Sequence, residues 1–195
     1  SSYIIDDKNL QSFSFPGANV PIGATINSVT VNALARKAGG NGTAMIQMVL
    51  ESGTAAGQQS YGNNANLTGS YAVYSRSMAT NPFTGQTWKA GDGSLNDVNN
   101  WTMKFGVQQS NTGTAVPRVT QLYVVVNYTT TKNVGPANGI GTYDEWVAST
   151  GSAVDAVAAN DGDATTISAP ALNQAETFIF PGADIPANAT IVNVV

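Results

Sequence analysis

The sequence predicts an all-β protein: an antiparallel β-sandwich, jelly-roll-like with an Ig-like Greek key as the alternative topology, holding one module and the start of a second. Three observations predict it. Apolar residues alternate with polar ones at period two in several separated runs, the mark of half-buried strands. Gly, Pro and Asn clusters fall between the runs and supply turn chemistry. Only 10% of residues are charged, and no window of ten or more shows convincing helical periodicity, so strands joined by polar turns are favoured over helices.

Taken in order, the chain opens with an Asp6-Asp7 turn and then the segment FSFPGANVPIGATINSVT over 13–30. Its Phe15-Pro16-Gly17 and Pro21-Ile22-Gly23 steps are turns. A strand follows over 25–35, with Val29, Val31, Ala33 and Ala35 in phase. Ile26 is out of phase, which predicts a bulge near Asn27–Ser28. After the Gly39–Gly42 turn, Ile46, Met48 and Leu50 mark a second strand, and 71–78 a Tyr-rich third. Asn81-Pro82 and Gly91-Asp92-Gly93 are turns. Trp101, Met103, Phe105 and Val107 alternate as another strand. The run Leu122–Val126 (LYVVV) predicts a central strand covered on both faces. Strands at regular spacing without intervening helices indicate a sandwich or barrel.

The domain organisation follows from a repeat. Residues 178–195 read FIFPGADIPANATIVNVV and match 13–30 at ten of eighteen positions, with an offset of 165. A fixed period of this kind is the signature of tandem arrays or self-similar assemblies. It predicts a module over 1–131 lacking its first strands and a linker over 132–141 rich in Gly, Pro and Asn. The N-terminal strands of the next repeat are then expected over 142–195, including strands at Trp146 and Ile167. The segment 145–159 is rich in Ala and Val, but its β-branched content, Gly151 and lack of clear caps argue against a helix there. The chain begins at Ser1 without Met, and a mature or partial chain is expected.

Composition excludes several function classes. The chain has no Cys and no His, so there is no disulfide framework, and Ser-His-Asp and Cys-His nucleophilic sites cannot be built. No catalytic residue and no cofactor is expected. Net charge is −4, which argues against nucleic acid as a partner. No apolar run approaches the ~18 residues of a membrane span. Residues 133–195 carry seven acids and no Lys or Arg, whereas 1–132 carry a net +3; this is either drift in a sparsely charged sequence or the basis of attraction between the tail of one unit and the body of the next.

Asp161 and Asp163 are the candidate Ca²⁺ pair, but EF-hand spacing is absent and an Asp-rich turn is the expectation. Asp144 and Glu145 are adjacent and nominate no glycosidase pair. Trp88, with Tyr71 and Tyr74, is the candidate exposed aromatic cluster for stacking on sugars, against an expectation of packing and interface use for these aromatics. Of five Asn-x-Ser/Thr sequons, Asn41 and Asn66 are the glycosylation candidates, since Asn100 and Asn127 fall in expected strands.

The Trp strand, the Asp-rich turn before Thr-Thr-Ile, the FxFPGAxIPxxATIxxVxV segment, Asn81-Pro82-Phe83-Thr84-Gly85 with Trp88, and RVTQLYVVVNY over 118–128 together resemble tandem β-sandwich repeat modules. Such modules occur in phage structural proteins and in bacterial extracellular fibre or surface proteins. The resemblance covers most of the chain and implies a structural or adhesive role in an extracellular setting, a cell surface or virion appendage. It departs from this chain in register, because the usual module would begin near 133.

The expected function is therefore a structural subunit of an extracellular filament or fibre. Its expected partners are copies of itself, joined head to tail by strand complementation, with Phe13, Phe15, Trp146, Ile167, Phe178 and Phe180 as assembly residues. A glycan- or receptor-binding module of a tail fibre or adhesin is the alternative. Both FxFPGA copies are expected to adopt one conformation, with Phe15 and Phe180 buried, Pro16 and Pro181 fixing φ, and Gly17 and Gly182 permitting positive φ. The segment 133–195 is expected to pack on a neighbouring unit.

Overall fold

The structure, a computed structural model, describes residues 10–53, 57–111, 114–136, 139–158, 164–187 and 189–194. The Asp6-Asp7 turn, the Asp161 and Asp163 candidates and the Asn188 sequon lie outside them. The protein is mostly β with antiparallel sheets, and it divides into two compact units, Ser1–Thr130 and Thr131–Val195.

The first unit holds two sheets. One runs β1 (Leu10–Phe13), β7 (Lys104–Gln109), β3 (Met45–Glu51) and β4 (Gln59–Tyr61), with β5 (Ala65–Asn66) also on β3. The other has β2 (Thr25–Gly39) between β6 (Ala72–Met78) and β8 (Val116–Thr129). Period two in the sequence becomes one buried face per strand. Val29, Val31, Ala33 and Ala35 of β2 meet Ile46, Met48 and Leu50 of β3 and Phe105 and Val107 of β7 in one core. Small Ala residues on the long β2 leave room for the larger side chains opposite, as close packing demands. The β2–β8 register shifts between Ile26 and Ser28. This is the bulge that the phase slip predicted, and it lets Ile26 point inward with Val29.

Arg76 lies opposite Val31 and so faces the core side of its sheet. Its guanidinium crosses to the other sheet, donating from Nη1 to the Ser60 carbonyl (2.6 Å) and the Met48 carbonyl (3.2 Å) and from Nη2 to Ser60 Oγ (2.8 Å). Burial pushes its pKa down. The bonds compensate the desolvation, because a half-buried charge is tolerated only when its donors are met.

Three expectations are corrected here. Leu122–Val126 belongs to an end strand of a three-stranded sheet, and Val125 is exposed. Among the described residues of the first unit the sheet has a packed layer on one side only, so the apolar run is not covered twice. Trp101 precedes its strand rather than joining it, although Met103, Phe105 and Val107 are buried as the alternation required. Asn100 lies in a turn, not a strand.

The second unit is built from pairs of short strands. β9 (Ile140–Asp144) pairs with β12 (Glu176–Phe178), and β10 (Val147–Ala148) with β11 (Ile167–Ser168). Between β10 and β11 stands a short helix, α1 (Ala153–Ala158), where no helix was expected. Its signal is a reciprocal N-cap: Ser152 Oγ accepts the Asp155 N–H (3.2 Å) and donates to Asp155 Oδ2 (2.6 Å). The Ser-x-x-Asp spacing is legible in sequence and outweighs the β-branched content over so short a helix. Trp146 falls between β9 and β10 and not in a strand. No helix among the described residues is long and apolar enough to cross a membrane.

Candidate assembly segment

The first copy of the repeated segment is held by a chain of dependencies that starts at Asp97. This carboxylate is buried and accepts backbone N–H groups from Gly91 (2.8 Å), Gly93 (2.8 Å) and Asn99 (2.9 Å). Burial raises its pKa; the bonds from Gly91, Asn99 and Gly93 outweigh that and leave it below the ordinary carboxylate value. The loop so fixed aims the Asn99 amide at Val20. Asn99 Oδ1 accepts the Val20 N–H and its Nδ2 donates to the Val20 carbonyl, both at 2.7 Å. Next to it the Ala18 N–H reaches the Val98 carbonyl at 2.9 Å. Gly17 permits this approach, because a Cβ there would stand 2.7 Å from the Asn99 carbonyl carbon, and backbone atoms cannot yield.

Apolar anchors complete the seat. Phe15 sets its ring edge-on to Phe105 at 5.5 Å, Trp101 meets the same ring at 5.0 Å, and Trp88 meets Trp101 at 6.1 Å. The Trp88 indole N–H is satisfied by the Met78 carbonyl (3.0 Å). Trp88 is therefore buried core, not an exposed stacking surface, and the aromatic cluster with Tyr71 and Tyr74 is not assembled. Tyr71 instead lies under the Arg36 guanidinium, and Tyr74 accepts the Thr68 N–H through its hydroxyl.

The second copy keeps turn features of the first but not its strand, since residues 25–30 lie in β2 whereas 190–194 form none. Asn19 has φ 53° and its counterpart Asp184 φ 44°. The turn from Pro21 closes with Ala24 N–H on the Pro21 carbonyl (3.1 Å), and its counterpart with Ala189 N–H on the Pro186 carbonyl (2.9 Å). Left-handed backbone at this position falls on Asn and Asp, which tolerate it, and in the first copy also on Gly23 (φ 85°), while Gly17 and Gly182, which would permit it, do not adopt it. Gly17 is needed for close approach instead.

The surroundings of the two copies are opposite. Val20 is 4% exposed and Ile185 45%; Ile26 is 5% and Ile191 57%; Val29 is 0% and Val194 85%. Phe15 is half-buried against the core while Phe180 is 56% exposed, so the expected burial of Phe180 is not met. Local sequence sets the turns, but burial needs a body such as residues 88–105 provide to the first copy.

The remaining candidates are dispersed. Phe13 ends β1 opposite Phe105 and is 40% exposed. Phe178 is half-buried opposite Ile140, and Ile167 half-buried opposite Ala148. Trp146 is half-buried, with its indole N–H on the Gln174 carbonyl (3.1 Å). Sequence reasoning missed what places it: Glu176 Oε2 accepts the N–H groups of Glu145 (2.9 Å) and Trp146 (3.0 Å), while Glu145 Oε2 accepts that of Ala175 (2.6 Å). Asn41 and Asn66 are exposed. Among the described residues no three carboxylates gather into a group that could hold a metal ion. No family model, curated protein or solved structure matches this chain.

Proposed function

We propose that this chain is a structural module of an extracellular filament or fibre, a jelly-roll-like sandwich whose copies join head to tail by strand complementation. One observation carries the reading: the second copy of the repeated segment keeps the turns of the first and presents to solvent the side chains that the first buries. An apolar face with a known complement calls for that complement, and here the complement is the body of another module. Fully burying each such side chain stabilises by about 1.5–3 kcal/mol. Association costs roughly 4–15 kcal/mol, so strand pairing must add to the apolar contact. A heterologous contact of this kind does not close on itself and yields filaments.

Sedimentation and negative-stain microscopy of the purified chain test the proposal. Filaments or a ladder of oligomers with a regular axial repeat are expected. A strictly monomeric chain at its highest soluble concentration would refute it. The glycan-binding alternative loses its main support with the burial of Trp88.

A further inference from the structure

We infer that the two copies compete for one seat: residues 175–187 of one chain displace residues 10–22 of the next. This rests on the assembly reading above and specifies its mechanism. The seat is defined by β7, Val98 and Asn99, and the equivalence of the copies fixes the incoming register. Leu10 lies opposite Gln108 and Phe13 opposite Phe105, so Ala175 comes opposite Gln108 and Phe178 opposite Phe105. Phe180 takes the place of Phe15 on the Phe105 ring. Ile185 takes that of Val20 between the two arms of the Asn99 amide. Gly182 has open space where a Cβ would be and passes the Asn99 carbonyl as Gly17 does.

What makes the incoming copy the better occupant is the strand it brings. β1 is an end strand, and among the described residues nothing pairs with its outer edge. β12 carries β9 already paired to it, with Phe178 opposite Ile140 and the Ile179 N–H on the Gly139 carbonyl at 3.0 Å. Exchange therefore lengthens the sheet by one strand and moves its open edge from β1 to β9. The side chains report the same difference: Phe178, beside β9, is half-buried, while Phe13 is 40% exposed. Ser12 bonds Glu51 through its hydroxyl, and Thr177 at the equivalent position carries a hydroxyl too. The seated first copy is a placeholder that keeps the chain monomeric until a second copy of the chain displaces it.

The chain has no cysteine, so engineered pairs can be read without background. Residues directly opposed across an antiparallel pair have Cα atoms about 4.5–5.5 Å apart, within reach of a disulfide. The variant Leu10→Cys with Gln108→Cys locks the first copy in its seat. The variant Ala175→Cys with Gln108→Cys traps the exchanged state. The oxidised lock is expected to lose assembly and to recover it on reduction, and the trap to give disulfide-linked multimers in assembled material. An oxidised lock that assembles like its reduced form overturns the exchange and leaves the filament proposal standing. A trap that closes only within single chains overturns it as well, and decides alone if the lock does not close. Failure of the unmodified chain to assemble removes the filament proposal itself.

Discussion

Gly17 and Gly182 occupy one position of the repeat, and alanine at each should have opposite consequences. Neither has positive φ, so an added methyl meets only its surroundings. At residue 17 the methyl enters the Asn99 peptide, with its carbonyl carbon 2.7 Å away. Overpacking of this kind costs about 1–3 kcal/mol. Relieving it by lifting the segment forfeits the Ala18 bond and the two Val20 bonds to Asn99, at roughly 1 kcal/mol each. Gly17→Ala should then destabilise the first unit by about 2–4 kcal/mol. For a unit of this size that lowers Tm by roughly 6–20 °C. At residue 182 nothing lies within 4 Å. Gly182→Ala should leave the monomer within about 0.5 kcal/mol, or stabilise it slightly by restricting the unfolded chain. Assembly should separate them further. Gly17→Ala loosens the placeholder and lowers the concentration at which filaments form; Gly182→Ala bars the incoming copy and raises it. Differential scanning calorimetry with sedimentation reads both effects. Equal Tm changes in the two variants would refute the close-approach argument, and equal assembly thresholds the equivalence of the copies.

Arg76→Ala should destabilise by about 2–3 kcal/mol in urea titration, since the Ser60 carbonyl and hydroxyl lose charged donors; a loss under about 0.5 kcal/mol would show that water replaces the clamp. Asp97→Asn should lower Tm at neutral pH by removing a carboxylate that three N–H groups address. Because the folded pKa lies below the ordinary value of about 3.9, Asp97's contribution is complete above that value and fades as pH falls through the lower folded value. The gap between variant and parent should narrow in acid, and a gap independent of pH contradicts this. Glu176→Ala should free the Glu145 and Trp146 N–H groups and shift Trp146 emission to the red; the Trp88→Phe, Trp101→Phe background isolates that signal, and an unmoved spectrum counts against the Glu176 anchor.

How much was legible in the sequence depends on the range of the interaction concerned. Strand positions, the bulge at Asn27–Ser28 and the sameness of the two repeated turns follow from side-chain period, bulk and turn chemistry, which act within a few residues. The capping pair Ser152 and Asp155 was equally local and could have been read. Burial was not legible in this way. Trp88 and Phe180 both sit in sequence contexts that favour turns and strand ends. Trp88 is enclosed because Met78, Trp101 and the loop held by Asp97 converge on it from elsewhere in the chain. Phe180 is exposed because the described residues of its own unit do not enclose it. The apolar run of β8 likewise reads as a central strand, and it lies at a sheet end because strand order is set by pairing with β2 across about a hundred residues of sequence. Turn conformation is a local property of this chain, whereas strand pairing and burial are decided by which distant segments arrive, and the candidate assembly segment is where the two part.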